Sequence, residues 1–296
     1  MSLRQMVRQL VIKGTTVLGL NAAHRSHQMI GAQAGHCIRV FYFHGTPARY
    51  AWRLRRQLDW LTTHFDVIDF EEFTQAFATS RARRSRPAAL LTFDDGFASN
   101  YDVAAPLLEG FGLRGVFFVV PQFSMAADTE TARGFFADRI LAPMAKFERA
   151  MTPVQIRDLA RRGHTIGNHT LTHARLSDTP AADVRREIDG SAALIESWID
   201  GPVEAFAWPF VWDAITPDTH AAARARHAYC FSPCTGMVDV RRDAPSLLWR
   251  TNAEADRRFS EFRFQCSGLA DYASAARRRD LTRRLLQAAA VRPAAA

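Results

Sequence analysis

Short apolar runs alternate with segments of helical period from about residue 38 to residue 265, and this alternation restricts the fold more than any other feature. Runs of strand length lie at 38–43, 67–70, 88–93, 115–120, 164–168, 203–208, 228–232 and 247–251. Between them, Leu54, Leu58 and Leu61 make one apolar stripe, and Val184, Ile188, Ser191, Ile195 and Trp198 make another at alternating spacings of four and three. Helix starts and stops are legible as well. Thr152, Pro153 and Gln155 form a capping-box signal and Gly163 a stop; Thr216-Pro217 repeats the start, and Gly110 and Gly112 end a helix running through Pro106. Strand then helix, repeated about eight times, predicts an α/β protein with a parallel sheet wrapped by helices, in one domain. The pattern does not separate an open doubly wound sheet from a closed barrel.

The ends of the chain depart from this rhythm. Residues 1–37 read as an N-terminal helical segment, basic at Arg4, Arg8 and Lys13. Its apolar run at 15–20 is bounded by Gly14 and broken by Gly19, which makes it too short for a signal-peptide core. No stretch approaches the ~20 apolar residues of a membrane span. Residues 38–265 form the expected α/β barrel unit, and 266–296 a basic, then alanine-rich tail. Residues 121–150 read as a long loop with one short helix around 135–141. A hydrophobic share of 48% with 23% charged residues supplies an ordinary core, which needs neither disulfides nor a structural metal. Cys37, Cys230, Cys234 and Cys266 form no CxxC pair and read as free thiols, as in a reducing compartment. The formal net charge of +8 is carried almost wholly by arginine, with clusters at 81–86, 277–279 and 283–284. These clusters read as solvated loops or as a surface for an anionic partner; no nucleic-acid motif accompanies them.

Three strand ends carry chemistry. The third strand runs into Asp94-Asp95-Gly96, and two carboxylates at the C-terminal end of a buried parallel strand call for a cation nearby. The fifth runs into His169-Thr170-Leu171-Thr172-His173, whose histidines at i and i+4 would share one helix face and one metal ion. The sixth ends in Trp208-Pro209-Phe210. Each has a purely structural reading as a cap, a packed histidine or an aromatic strand end; the ordered set is far more specific.

That set resembles the polysaccharide deacetylase family, carbohydrate esterase family 4, over roughly residues 38–252. The resemblance implies a distorted (β/α) barrel of about seven to eight parallel strands. It further implies a divalent metal, zinc with nickel or cobalt as alternatives, held by Asp95, His169 and His173. Asp94 would be the catalytic base for attack by a metal-bound water, and the Phe210 backbone N–H an oxyanion donor. The implied reaction removes acetyl groups from an N-acetylated sugar in a polysaccharide, oligosaccharide or glycolipid. Hydrolysis of another linear amide or ester, or an inactive carbohydrate-binding relative, are the alternatives.

Two positions depart from the family pattern. Many members carry an arginine where Ala207 stands, and a Leu-x-His whose place is taken by Leu248-Trp249-Arg250. Arginine does not donate protons at neutral pH. Arg250 is therefore expected to pair with Asp94 or to bind substrate, and His44, at the end of the first strand, is the candidate acid. The expected partner is an acetylated glycan or glycolipid, with no nucleic acid. The expected location is cytoplasmic, with peripheral membrane contact through basic termini.

Overall fold

A computed structural model describes residues 34–80, 86–126 and 149–291. The expected N-terminal segment up to residue 33, most of the 121–150 loop with its short helix, and the arginines at 81–84 lie outside these residues; the last residues of that segment form a short 3-10 turn (Ala34–His36) and open the first strand at Cys37.

The eight expected strands are present, and a ninth joins them. They are β1 (Cys37–Phe43), β2 (Asp66–Ile68), β3 (Ala88–Phe93), β4 (Val116–Val119), β5 (Thr165–Asn168), β6 (Ala205–Ala207), β7 (Tyr229–Phe231), β8 (Val238–Asp239) and β9 (Thr251–Asn252). The sheet order is β7-β6-β5-β4-β3-β1-β8, with β2 against β3 and β9 against β1. Every pairing is parallel except that of β1 with β8, a two-residue strand too short to leave a periodic signal. The eighth expected strand is displaced. Only 251–252 pair as β9, while Leu248 bridges to Phe231 of β7. Segment 248–252 therefore touches β7 at one end and β1 at the other, and curls the sheet into a distorted barrel.

Helices α1 (Ala51–His64), α2 (Phe70–Thr79), α3 (Ala105–Gly110), α4 (Pro121–Met125) and α5 (Pro153–Arg161) lie in the first half and middle of the chain. Next come α6 (Ala181–Arg185) and α7 (Ser191–Ile199), joined through the π-turn Arg186–Gly190. The last three are α8 (Pro217–Arg226), α9 (Phe259–Cys266) and α10 (Leu269–Val291). The capping boxes at Thr152 and Thr216 both form. Residues from 266, expected as a tail, instead complete α9 and build α10, whose Leu281 and Leu285 pack against Trp212 and Ile215. The apolar positions there are too sparse among arginines to show a stripe, and tertiary packing selects the helix.

Alternate strand residues serve two cores. Phe41, Phe43, Leu91, Phe93, Phe117 and Val119 face the helices, with Leu54, Leu58 and Leu61. Val40, Leu90, Val116, Phe118, Ala207, Phe231 and Leu248 fill the barrel interior. The period of two along each strand makes this division.

Candidate active site

The chemistry-bearing residues converge because parallel strands share one C-terminal edge. β1 pairs with β3 so that Phe43 lies beside Phe93. His44 and Asp94 thus leave neighbouring strand ends, and the Asp94 N–H donates to Phe43 O at 2.8 Å. β5 ends one strand beyond β4 and delivers His169; β6 delivers Trp208 to Phe210. Asp95, Thr170, His173 and Phe210 all have positive φ, four of the six such non-glycine residues described. Backbone in that region is unfavourable for side-chain-bearing residues, and its concentration here marks the site.

The histidine pair does not lie on a helix. Positive φ at Thr170 and His173 turns the chain into a loop held from beneath. Buried Asn168 accepts from Thr170 N at 2.9 Å and from Ser191 Oγ at 2.7 Å. Buried Glu187 accepts from both the N–H and the hydroxyl of Thr172, each at 2.9 Å. Both imidazoles nevertheless reach Asp95: His169 Nε2 and His173 Nε2 each lie 3.4 Å from its Oδ1. The Phe210 ring packs on His173 with centroids 4.8 Å apart.

Asp95 is buried, and neither carboxylate oxygen has a hydrogen-bond partner among the described residues. Unpaired buried carboxylate is costly, so a cation is the natural occupant. The three donor atoms lie within 4.8 Å of one another. Two ligands ~2.0–2.1 Å from a tetrahedral zinc are about 3.3 Å apart, close to the observed 3.4 Å. His169 Nδ1 faces Ala207 O at 2.8 Å, which directs Nε2 toward Asp95. Burial alone would raise the Asp95 pKa; the two imidazoles, with His44 beyond, hold it well below the usual carboxylate range. The donor set therefore fits a divalent metal. A second cluster, His36, Cys37 and Asp239, fits less well, because Arg241 Nη2 already stands 2.6 Å from His36 Nε2.

Asp94 is held from inside the barrel. Arg250 Nη1 donates to its Oδ1 at 2.7 Å, both residues being buried. The guanidinium lies over Tyr42 at 4.6 Å and Phe118 at 5.5 Å. Phe118 stands there because Gly167 has no side chain: a Cβ would come within 2.4 Å of its ring. Ala207 belongs to the same interior core as Phe118.

His44 and Glu254 form the remaining pair. Its Nδ1 is 2.6 Å from Glu254 Oε1, and its N–H donates to Oε2 at 3.2 Å. Neither Glu254 nor Glu187 carries a signal in the sequence. Glu254 follows a two-residue strand with no motif, and Glu187 hides beside an apolar stripe. Burial would lower the His44 pKa, but Glu254, then Asp95 and Asp94, outweigh it and raise it from 6.5 to about 10. A raised folded-state value stabilises the fold fully below the unfolded pKa, and this contribution disappears as pH climbs through the folded one. In the metal-free protein, the stability advantage of wild type over Glu254→Gln is thus expected to be full near pH ~6 and lost by pH ~11. Denaturation midpoints across that window measure it; a pH-independent difference would show that the pair is not ionised.

Residues 81–226 match the family model for polysaccharide deacetylase. Over that stretch, just under half of its length, the chain is similar to the polysaccharide deacetylases. Asp94, Asp95, His169, His173 and Phe210 lie inside the matched stretch, whereas His44, Arg250 and Glu254 lie outside it. YxkH of Bacillus subtilis, assigned to the polysaccharide deacetylases, is 21% identical over 131 residues, which are 44% of this chain and only 39% of that protein. The fold is shared with the Streptococcus pyogenes deacetylase PplD, solved in complex with acetate (TM-score 0.62, 16% identity, 78% of this chain and 98% of that one). It is shared too with IcaB from Ammonifex degensii (0.61, 19%, 80% and 97%) and the BpsB deacetylase domain from Bordetella bronchiseptica (0.58, 23%, 74% and 97%). Among the described residues, no helix is long and apolar enough to cross a membrane.

Proposed function

We propose that this protein is a metal-dependent deacetylase that removes the acetyl group from an N-acetylated sugar of a polysaccharide, oligosaccharide or glycolipid. The observation that carries this reading is the buried Asp95 carboxylate, without hydrogen bonds and faced by two imidazole Nε2 atoms, directly beside an Asp94 clamped by Arg250. Asp95, His169 and His173 would hold the ion, zinc by the character of the donors, which supplies Lewis-acid polarisation of the acetyl carbonyl and of water.

The chain's own groups divide the remaining work. Asp94 takes the proton of the attacking water, with Arg250 fixing the carboxylate in one orientation. The Phe210 N–H, presented by a left-handed turn against His173, donates to the oxyanion. His44, held in place by Glu254 and half-buried, gives its proton to the sugar nitrogen as the C–N bond breaks. These assignments answer the two departures from the family pattern: Arg250 stands in for the arginine absent at 207, and His44 for the missing acid.

Metal-stripped protein reloaded with zinc, nickel or cobalt is expected to bind about one equivalent and to release acetate from a panel of acetylated glycans. His169→Ala is expected to lower metal affinity by well over about 100-fold. Unchanged metal content in that variant would remove the ligand assignment, and loaded wild-type protein that frees no acetate from any glycan would remove the activity.

A further inference from the structure

One face of the active-site rim is basic and aromatic in a way that the deacetylation chemistry does not require. α1 begins just after β1, and segment 253–258 follows β9, so the first turns of α1 and this segment stand on the same edge of the sheet as His44. Between them lies a groove of about 190 Å³ lined by Trp52, Arg53, Arg56, Gln57, Arg257, Arg258 and Phe259. Gln57 Nε2 donates to Glu254 O at 3.1 Å, so the groove wall is one residue from the pair that holds His44.

Four arginines meet here, and none has a carboxylate within ion-pair distance among the described residues. Arg53 donates to the backbone carbonyl of Asp256, and Arg257 to the amide oxygen of Asn252. Arg56 lies over Phe259 at 4.1 Å, and Arg53 over Trp52 at 5.1 Å. Stacking holds a guanidinium flat but leaves its charge and its edge N–H donors available, the arrangement that suits a planar oxyanion. Asp256 and, behind it, the His44-bound Glu254 are the nearby acids, two against four arginines. Trp52 stays 60% exposed, a large aromatic surface of the kind on which a pyranose ring stacks.

We propose that this groove is a subsite for an anionic substituent, carboxylate or phosphate, of the glycan, so that the substrate is an acidic acetylated polysaccharide. The inference rests on the deacetylase reading for its placement, but its binding test does not. The probes are a neutral N-acetylglucosamine oligomer, an oligomer alternating N-acetylglucosamine with a uronic acid, and a phosphate-bearing acetylated oligomer. Titration calorimetry of the metal-loaded protein should show tighter binding of at least one acidic probe than of the neutral one; the tighter of the two identifies the anion.

Arg56→Ala with Arg258→Ala removes two exposed guanidiniums and is expected to weaken acidic-probe binding about tenfold, with a similar fall in the acidic-to-neutral ratio of kcat/KM. Arg279→Ala with Arg283→Ala removes the same charge from α10 and serves as the control for net charge. An equal effect of both pairs, or none from the groove pair, overturns the proposal. So does a groove pair that loses binding to anionic phospholipid vesicles while keeping the acidic glycan. Absence of acetate release with preserved, groove-dependent binding would refute the activity and leave the subsite standing.

Discussion

Asp94→Asn is expected to keep its metal and lose acetate release by about 10²–10⁴-fold, the usual contribution of a positioned general base. The amide has the same shape as the carboxylate but does not accept the proton of the attacking water. Arg250 Nη1, 2.7 Å from Oδ1, still finds an oxygen there, which keeps the local geometry around Asp95, but the guanidinium loses its counter-charge and the variant is expected to be less stable by up to about 3–5 kcal/mol. Metal content measured alongside acetate release separates the two neighbouring carboxylates. Activity retained in Asp94→Asn would make another group the base, and loss of the metal would make Asp94 a ligand.

Arg250→Met should have the second large effect, on both stability and catalysis. Arg250 and Asp94 are each almost fully buried, and the guanidinium is enclosed by Tyr42 and Phe118. Removing one member of such a pair leaves a charge uncompensated in the interior, at a cost of about 3–5 kcal/mol. The remaining carboxylate also loses the contact that aims it. Urea denaturation midpoints give the first effect and kcat on an acetylated glycan the second. Arg250→Lys restores a point charge without the planar fork and is expected to recover stability better than turnover. A methionine variant within about 1 kcal/mol of wild type and fully active would reduce Arg250 to a filler of the barrel.

In the proposed reading, Arg250 and His44 take over two roles whose expected positions in the sequence carry other residues. An interior position can be filled from any strand of a barrel, because alternate residues of all strands point into the same space. Ala207 on β6 lies in the interior core with Phe118, and Arg250, just before β9, reaches the same interior over the Phe118 ring. In the proposed reading, the guanidinium on Asp94 comes from position 250 and not from position 207. The proposed role of His44 follows the same reasoning: a strand end at the C-terminal edge can offer a proton donor where a carboxylate such as Glu254 orients it.

The strand-helix order, the capping boxes at Thr152 and Thr216, and the position of Asp94, Asp95, His169, His173 and Phe210 just past strand ends are legible in the sequence. Each of these follows from local pattern: apolar period, cap chemistry, and motifs placed where parallel strands finish. Tertiary structure alone decided the rest. Whether 248–252 closes the barrel depends on pairing with β7 and β1 over long sequence separations, which no local period records. The His169–His173 loop is fixed by Asn168 and by Glu187 from a neighbouring π-turn, against the helix that the i and i+4 spacing implied. α10 is helical because Leu281 and Leu285 find partners on another element, not because its own arginine-rich sequence is amphipathic. Glu254 and the arginine groove beside it share no motif and acquire a joint role only when β1 and β9 bring their following segments to one rim.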